Sequence, residues 1–558
     1  LTPDRRFAVW LLAILVLASL LRGLFPAADP PWRSTVGVVW HDEGAWTHNA
    51  RNKALYGAWV QDEWNPVYIA PVFTALEYGS FAAFGVGLRQ ARLVSEAAGV
   101  LSVLLLALGV RRLAGNRAGL IAAALLATNY VYVMYDRAAI MEALMAACIV
   151  ASWWCVAEAD RRPAFGAAAG LFAALAFFTK AAAAAYVGAL GLLALVELTR
   201  GARAWRTNPA LWVLAGLAVS FAIAAVVFVL PHWQEYQFYN WQVSVTRKPR
   251  YDIASMVQRL TWFPVLHDTF SRSWPELLLT VLGAWAVVLR WRTAAAAERL
   301  LLLWVAVGTL ELLVHDVGNE RRFVFLLPAL VGFTALALAR GSVDLDAPRA
   351  RPAIWRWLAA PVVLYAAYVV AAPLVRLLFR EQIFNHILRD TVRLSTGAAL
   401  LAGGAALALA FRAERLRLVI RPSAAAVLLA ALLGWDLYQF ADWAAHRTYK
   451  NYTASVELGR VLPAGTVVQG KLANGLALDN RIRPLFIGHG FGNYATRTAR
   501  EDVRYILTYT SPWLGYEGDQ IKDVLDASPG WRIIMSFDVA ESRYGNDTAA
   551  LIDKRAGH

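Results

Sequence analysis

Three groups of charged residues stand where an otherwise apolar chain turns polar. The first is Trp40-His41-Asp42-Glu43-Gly44-Ala45-Trp46, two adjacent carboxylates opening a short helical pattern that Gly57 ends. The second is Arg137 and Glu142 at the top of one apolar run, with Lys180 between two others. The third is the basic pair of stretches Thr246-Arg247-Lys248-Pro249-Arg250 and Arg321-Arg322. Together they offer a proton acceptor and an anion-binding set. A carboxylate beside an attacking hydroxyl acts as a general base, and Arg or Lys steadies the charge on a leaving phosphate. Each residue also has a plain structural reading. Acids are favoured at a helix N-terminus by the dipole. Lys180 can snorkel to the interface. Arg137 and Glu142 lie near one helical turn apart and can pair, while Asp136 competes with Glu142 as second acid. The 246–250 stretch can face lipid headgroups. Trp40, Trp46, Trp59 and Trp64 read as an interfacial belt, and His232, His315 and His489 as interfacial or surface histidines.

These residues need a scaffold, and composition says which kind. Of 558 residues, 59% are hydrophobic and 23 are Trp; mean hydropathy is +0.45. Apolar runs of spanning length recur near 7–25, 92–110, 117–134, 139–158, 163–180, 181–199, 210–231, 274–291, 299–315, 322–340, 355–375, 394–411 and 422–441, about thirteen in all. The chain is therefore an all-α polytopic membrane protein. Phe7–Phe25, preceded by Arg5-Arg6, reads as a signal anchor. The 66–87 stretch, broken by Pro66, Pro71 and Gly79, reads as helices on the membrane surface. The net charge of +14 lies almost wholly before residue 442. Its arginines punctuate the apolar runs instead of clustering on a soluble face, which argues against nucleic acid and for lipid headgroups. They fall at every second loop, so those loops are expected in the cytoplasm; the 376–393 loop, with four Arg, is the weak point. Loops 26–90 and 232–273 and the tail then lie outside. Cys148 and Cys155 share one apolar run and read as inert core thiols.

Two domains follow: 1–441 in the membrane and 442–558 outside it. In the tail, Thr466–Gln469, Pro484–Ile487, Tyr505–Thr508 and Ile533–Phe537 read as strands, and Ser455–Leu462, Lys471–Asp479 and Asp519–Ala527 as helices. This predicts a small α/β domain of roughly 110 residues. The Gly488–Gly492 stretch lacks the spacing of a nucleotide loop.

The ordered set of motifs resembles the GT-C superfamily of glycosyltransferases, in the branch of protein O-mannosyltransferases and lipid A aminoarabinose transferases. Asp42-Glu43, Trp46, Ala50 and Gly57-Ala58-Trp59 fit that branch's first outside loop. Ala70-Pro71-Val72-Phe73 fits its proline-containing surface helix, and Arg92-Leu93 and Arg111-Arg112-Leu113-Ala114-Gly115 fit the bounds of its second span. Arg137 followed by Glu142, Phe178-Thr179-Lys180-Ala181, and Arg321-Arg322-Phe323 through Pro328 fit later features. The resemblance covers residues 5–340.

The resemblance implies a GT-C fold and transfer of a sugar from a polyprenyl-phosphate donor to a lipid, cell-wall glycan or protein acceptor, with inversion. The place would be the outer side of a bacterial inner membrane. It implies Asp42 as base, Glu142 as second catalytic acid, and Glu43, Arg137, Lys180, Arg247, Arg321 and Arg322 as substrate-binding. Two stretches depart from the aminoarabinose branch. Tyr68-Ile69-Ala70-Pro71 lacks its acid, and Tyr239-Asn240-Trp241-Gln242-Val243-Ser244 lacks its His. That branch's metal site is therefore not expected, and no cofactor is; divalent ions keep the option of assisting weakly through Asp42, Glu43 or Glu142. The large lumenal insertion of the mannosyltransferase branch is also not found. The competing reading is a transporter of lipid-linked sugars. Repeat halves and helices broken in corresponding positions would favour it, and neither is seen.

Overall fold

The computed structural model describes residues 2–31, 40–200, 207–245, 250–266, 273–315, 320–344, 353–378, 388–412, 417–510, 518–540 and 547–555. The chain is a multi-pass helical membrane protein with a small sheet domain at its C-terminal end. All thirteen apolar runs fall on helices, but not as thirteen equal crossings. Among the described residues, eight segments are long and apolar enough to cross; Ala164–Thr179, Trp274–Leu289 and Ala360–Arg376 are shorter apolar helices. The predicted spans 92–110 and most of 117–134 belong to one helix, Leu88–Thr128, bent at Ala114-Gly115, where Gly115 takes φ +81°. Only a residue without a Cβ adopts that conformation at little cost.

Nine helices matter for the site. They are α1 (Pro3–Gly23), α2 (Asp42–Tyr56), α3 (Pro71–Phe84), α4 (Leu88–Thr128), α5 (Tyr130–Asp136), α6 (Met141–Ala159), α7 (Ala164–Thr179), α8 (Ala184–Thr199) and α9 (Leu327–Arg340). A short 3-10 turn, Glu320–Leu326, leads into α9. The crossing segments Met141–Ala159 and Arg321–Arg340 are the most enclosed, 83% and 89% buried, against 17% for Pro209–Val229. A helix apolar on every face belongs at the centre of a bundle. Glu142 and Arg321 thus stand at the N-terminal ends of the two central helices.

Helices α2 and α3 lie in the segment 26–90, and Pro71 opens α3. Trp40 and Trp46 are not part of an interfacial belt. They are 4% and 7% exposed, Trp40 within the tail's core and Trp46 within the bundle's. The Trp64 indole donates to the Ala45 carbonyl at 2.8 Å. They fasten the loop to its neighbours.

The tail follows α10 (Pro422–Ala445) and contains α11 (Lys450–Val461), α12 (Lys471–Gly475) and α13 (Gly518–Asp526). Its strands are β1 (Val467–Gln469), β2 (Arg483–Leu485), β3 (Tyr505–Tyr509), β4 (Arg532–Asp538) and β5 (Thr548–Asp553). Their order across the sheet is β2-β1-β3-β5-β4. The β1 strand runs parallel to β2 and β3, while β5 is antiparallel to both β3 and β4.

Two buried side chains, Asp29 and Arg51, help tie the tail to the segment before α3. Asp29 accepts from the Thr448 hydroxyl at 2.7 Å and from the backbone N–H groups of Lys450 and Asn451 at 2.7 and 3.1 Å. It thereby caps α11 from outside its own chain segment. Arg51 of α2, 1% exposed, donates to the carbonyls of Ala477, Asn480 and Ile482 at 3.0, 3.1 and 2.9 Å.

Candidate active site

Asp42 is the first residue of α2, yet its carboxylate does not cap that helix. Oδ2 accepts from Arg321 Nη1 at 2.6 Å, and Oδ1 lies 3.2 Å from Lys471 Nζ of the tail. Arg321 Nε in turn lies 3.3 Å from Glu142 Oε1, and that oxygen also accepts from Lys180. The result is a chain of alternating sign: Lys180, Glu142, Arg321, Asp42, Lys471. Its members come from five places in the sequence, and Asp42 and Arg321 are 8% and 9% exposed.

Local structure explains why these side chains meet. Lys180 interrupts the run between α7 and the 3-10 turn Ala181–Ala183 with an extended conformation, φ −158° and ψ 127°. That break puts its ammonium on Glu142 in the first turn of α6, so it does not snorkel away. A close approach of backbones brings the tail in. A Cβ at Gly44 would fall 1.9 Å from the Asn474 carbonyl oxygen, and one at Gly475 would fall 2.7 Å from the His41 Cα. With glycine at both positions, α12 rests directly on the start of α2.

The electrostatics follow from this crowding. Burial alone would raise the Asp42 carboxyl, but the Lys471 ammonium and then the Arg321 guanidinium hold it well below the usual carboxylate range. Burial, with Lys471 nearby, lowers the His41 imidazole to about 3. At neutral pH the site therefore presents an ionised Asp42 beside a neutral His41.

Other expected site residues are placed elsewhere. Glu43 turns away from Asp42. Its oxygens accept from Arg92 at 2.8 and 2.7 Å, and Oε1 also accepts from the Ala139 N–H at 2.8 Å. Both oxygens are thus bound to the bundle, not presented to a substrate. Arg137 does not pair with Glu142. It donates to the carbonyls of Leu21, Arg22 and Phe25 at the end of α1, at 2.9, 2.5 and 2.9 Å, over the Trp443 ring. The orphan carbonyls of a helix end take such a donor readily. Asp136 is taken by Arg22 at 2.7 Å. Arg322 is bonded to the His315 carbonyl at 2.6 Å. Arg247 lies outside the described residues. Lys471, by contrast, was given no role from sequence. Its only sequence signal is a lone cation opening a short helix.

The two stretches that depart from the aminoarabinose branch meet in space. The Tyr68 and Tyr239 rings stack with centroids 5.5 Å apart and planes 21° apart, and Asn240 donates to the Tyr68 carbonyl at 3.0 Å. Among the described residues no group of three His, Cys, Asp or Glu side chains is arranged to hold a metal ion.

Comparison with known proteins agrees with this architecture. Residues 68–230 match the family described as dolichyl-phosphate-mannose-protein mannosyltransferase. No curated protein matches the sequence. The fold is similar to that of ArnT from Cupriavidus metallidurans bound to undecaprenyl phosphate: TM-score 0.51, 16% identity, covering 98% of this chain and 97% of that one. Apo ArnT of the same organism gives a TM-score of 0.54 at 15% identity, covering 98% of both chains. The chain is a multi-pass membrane protein whose fold is similar to that of GT-C glycosyltransferases. It is similar to the mannosyltransferase family over its matched segment and to ArnT in fold.

Proposed function

We propose that this chain transfers a sugar from a polyprenyl-phosphate donor to an acceptor hydroxyl, outside a bacterial inner membrane, with inversion. The observation that carries the reading is the Lys180–Glu142–Arg321–Asp42 chain at the ends of the central helices. It pairs a carboxylate with cations suited to a phosphate, beside a helical wall suited to a lipid tail. The fold likeness to a protein that holds undecaprenyl phosphate supports the donor class.

The acceptor oxygen attacks the anomeric carbon and gives its proton to Asp42. The bond from that carbon to the phosphate oxygen breaks, and polyprenyl phosphate leaves with the electron pair. Arg321 and Lys180 face the phosphate, and their charge counts most as the leaving group gains its own. Glu142 keeps the two cations apart and oriented. A carboxylate held by cations is a weak base; a bound phosphate shares their charge and strengthens it. Glu43 and Arg137 are proposed as scaffold, fixing the floor on which Asp42 stands. The 1–441 portion supplies the catalytic bundle, and 442–558 a domain on the same outer side.

The test is incubation of the purified chain with undecaprenyl-phosphate sugars and a panel of lipid, glycan and peptide acceptors. The expected products are undecaprenyl phosphate and an acceptor whose new linkage has the opposite anomeric configuration to the donor. Movement of intact donor across vesicle membranes, with no phosphate lipid released, would replace the transferase reading with the transporter one.

A further inference from the structure

We propose that Lys471, carried by the tail domain, is a movable cation of the catalytic centre that holds Asp42 until a lipid phosphate arrives and then turns to the phosphate. The proposal rests on the transferase reading and adds a working part carried by the tail.

The geometry separates a fixed base from a mobile end. The backbone carrying Lys471 is pinned, because Gly44 and Gly475 let α12 lie against α2 at contact distance and Arg51 fastens 477–482 by three carbonyl bonds. The side chain is less confined. Its 3.2 Å contact with Asp42 Oδ1 is the looser of the two ion pairs on that carboxylate, and it is 20% exposed. Arg321 is 11% exposed and is held from both sides, by Asp42 at 2.6 Å and by Glu142 at 3.3 Å. A planar guanidinium clamped between two carboxylates resists reorientation, whereas an ammonium on a four-carbon stem swings easily.

Charge gives the swing a reason. Two carboxylates, Asp42 and Glu142, face three cations, Lys180, Arg321 and Lys471, while His41 is neutral. The surplus positive charge suits one phosphate. Lys471 and Arg321 both lower the Asp42 carboxyl. With Arg321 clamped, the transfer of Lys471 to a phosphate is the movement that releases Asp42. The acceptor's proton then finds a freer carboxylate only once a donor is present, which guards against idle protonation of the base.

The experiment is a double-mutant cycle on the purified full-length chain, with undecaprenyl phosphate as probe and binding read by tryptophan fluorescence. Lys471→Gln should weaken binding about tenfold, the scale of one charge-assisted hydrogen bond. Asp42→Asn should tighten it, because the competing anion is gone, and Lys471→Gln in that background should erase the gain. Lys471→Arg should bind close to wild type, and melting curves report whether each variant is folded. In turnover, Lys471→Gln should move the acid limb of the pH profile to higher pH. Asp42 then keeps Arg321 as its close cationic partner and takes up a proton more readily. A tail that merely props the loop would leave that limb in place. Equal binding by wild type and Lys471→Gln, or strictly additive effects of the two substitutions, would overturn the movable cation alone. Failure of the wild-type chain to bind undecaprenyl phosphate would overturn the donor reading, and this proposal with it.

Discussion

Asp42→Asn and Glu43→Gln are adjacent, isosteric and charge-equivalent, yet the structure assigns them opposite consequences. Asp42→Asn leaves Arg321 with Glu142 at 3.3 Å, and the Lys471 side chain is 20% exposed and within reach of water. No buried charge is stranded, so the stability cost should be about 1–2 kcal/mol, one charge-assisted bond exchanged for weaker ones. Turnover should fall roughly 10²–10⁴-fold, the usual contribution of a general base. Glu43→Gln removes the carboxylate paired with Arg92, whose side chain is 3% exposed. Breaking one side of a buried ion pair costs about 3–5 kcal/mol. Burial of the Glu43–Arg92 pair makes Glu43→Gln the structurally severe variant. The assays are turnover with undecaprenyl-phosphate sugars and thermal melting of the purified variants. Near-wild-type turnover by Asp42→Asn would sink the base assignment. A Glu43→Gln variant as heat-stable as wild type would show that Arg92 does not depend on it.

Three further outcomes are expected. Glu77 is fully buried, its oxygens have no hydrogen-bond partner among the described residues, and burial next to Glu43 raises its carboxyl well above the usual range. A raised acid binds its proton more tightly in the folded chain, so stability falls as pH rises above the unfolded value of about 4.3. Glu77→Gln should remove that decline and melt higher than wild type at alkaline pH; a melting curve that declines in parallel with wild type would count against this. Arg51→Met should free the 477–482 segment, making the tail protease-sensitive and lowering turnover about tenfold or more. A variant with normal turnover and an intact tail would show that the three carbonyl bonds are dispensable. A reporter active only in the cytoplasm, fused after residue 558, should give no signal; a strong signal would invert the topology and with it the side on which Asp42 works.

Much of this was legible in the sequence for reasons that are physical. Apolar runs must become helices in lipid, since only intrasegment hydrogen bonds satisfy their backbones there. Charged residues at the ends of such runs are costly enough to imply a role, so Asp42, Glu142, Lys180 and Arg321 stood out. Their partners did not. Asp42 and Arg321 are 279 positions apart, and no periodicity encodes a contact of that separation. Glu43 and Arg137 looked equivalent to their neighbours because sequence shows a charge without its direction. Lys471 was silent for the same reason. In the tail, four predicted strands were found, but β5 was missed. Its buried run Ala549-Ala550-Leu551-Ile552 does not alternate, and Ala is a poor strand former. Yet it joins β3 to β4.

The alternation of sign along Lys180, Glu142, Arg321, Asp42 and Lys471 makes one last distinction among its members. Five charges sit at the mouth of an apolar bundle because each has an opposite neighbour. Within this chain an interior member is flanked by two such neighbours and an end member by one. Removing Arg321 strands both Asp42 and Glu142, and Glu142 is fully buried. Removing Lys180 leaves Glu142 still paired with Arg321 at 3.3 Å. Arg321→Met should therefore cost about 3–5 kcal/mol and lower the melting temperature plainly, whereas Lys180→Met should cost only about 1–2 kcal/mol. The order for function is different. End members can leave their partner for a ligand without stranding an interior charge, so Lys180→Met should weaken undecaprenyl phosphate binding out of proportion to its effect on stability. Melting and binding measured on the same two variants decide it. If Lys180→Met unfolds the chain as readily as Arg321→Met, or binds the lipid phosphate as well as wild type, the ends of the chain are structural and the phosphate must be held elsewhere.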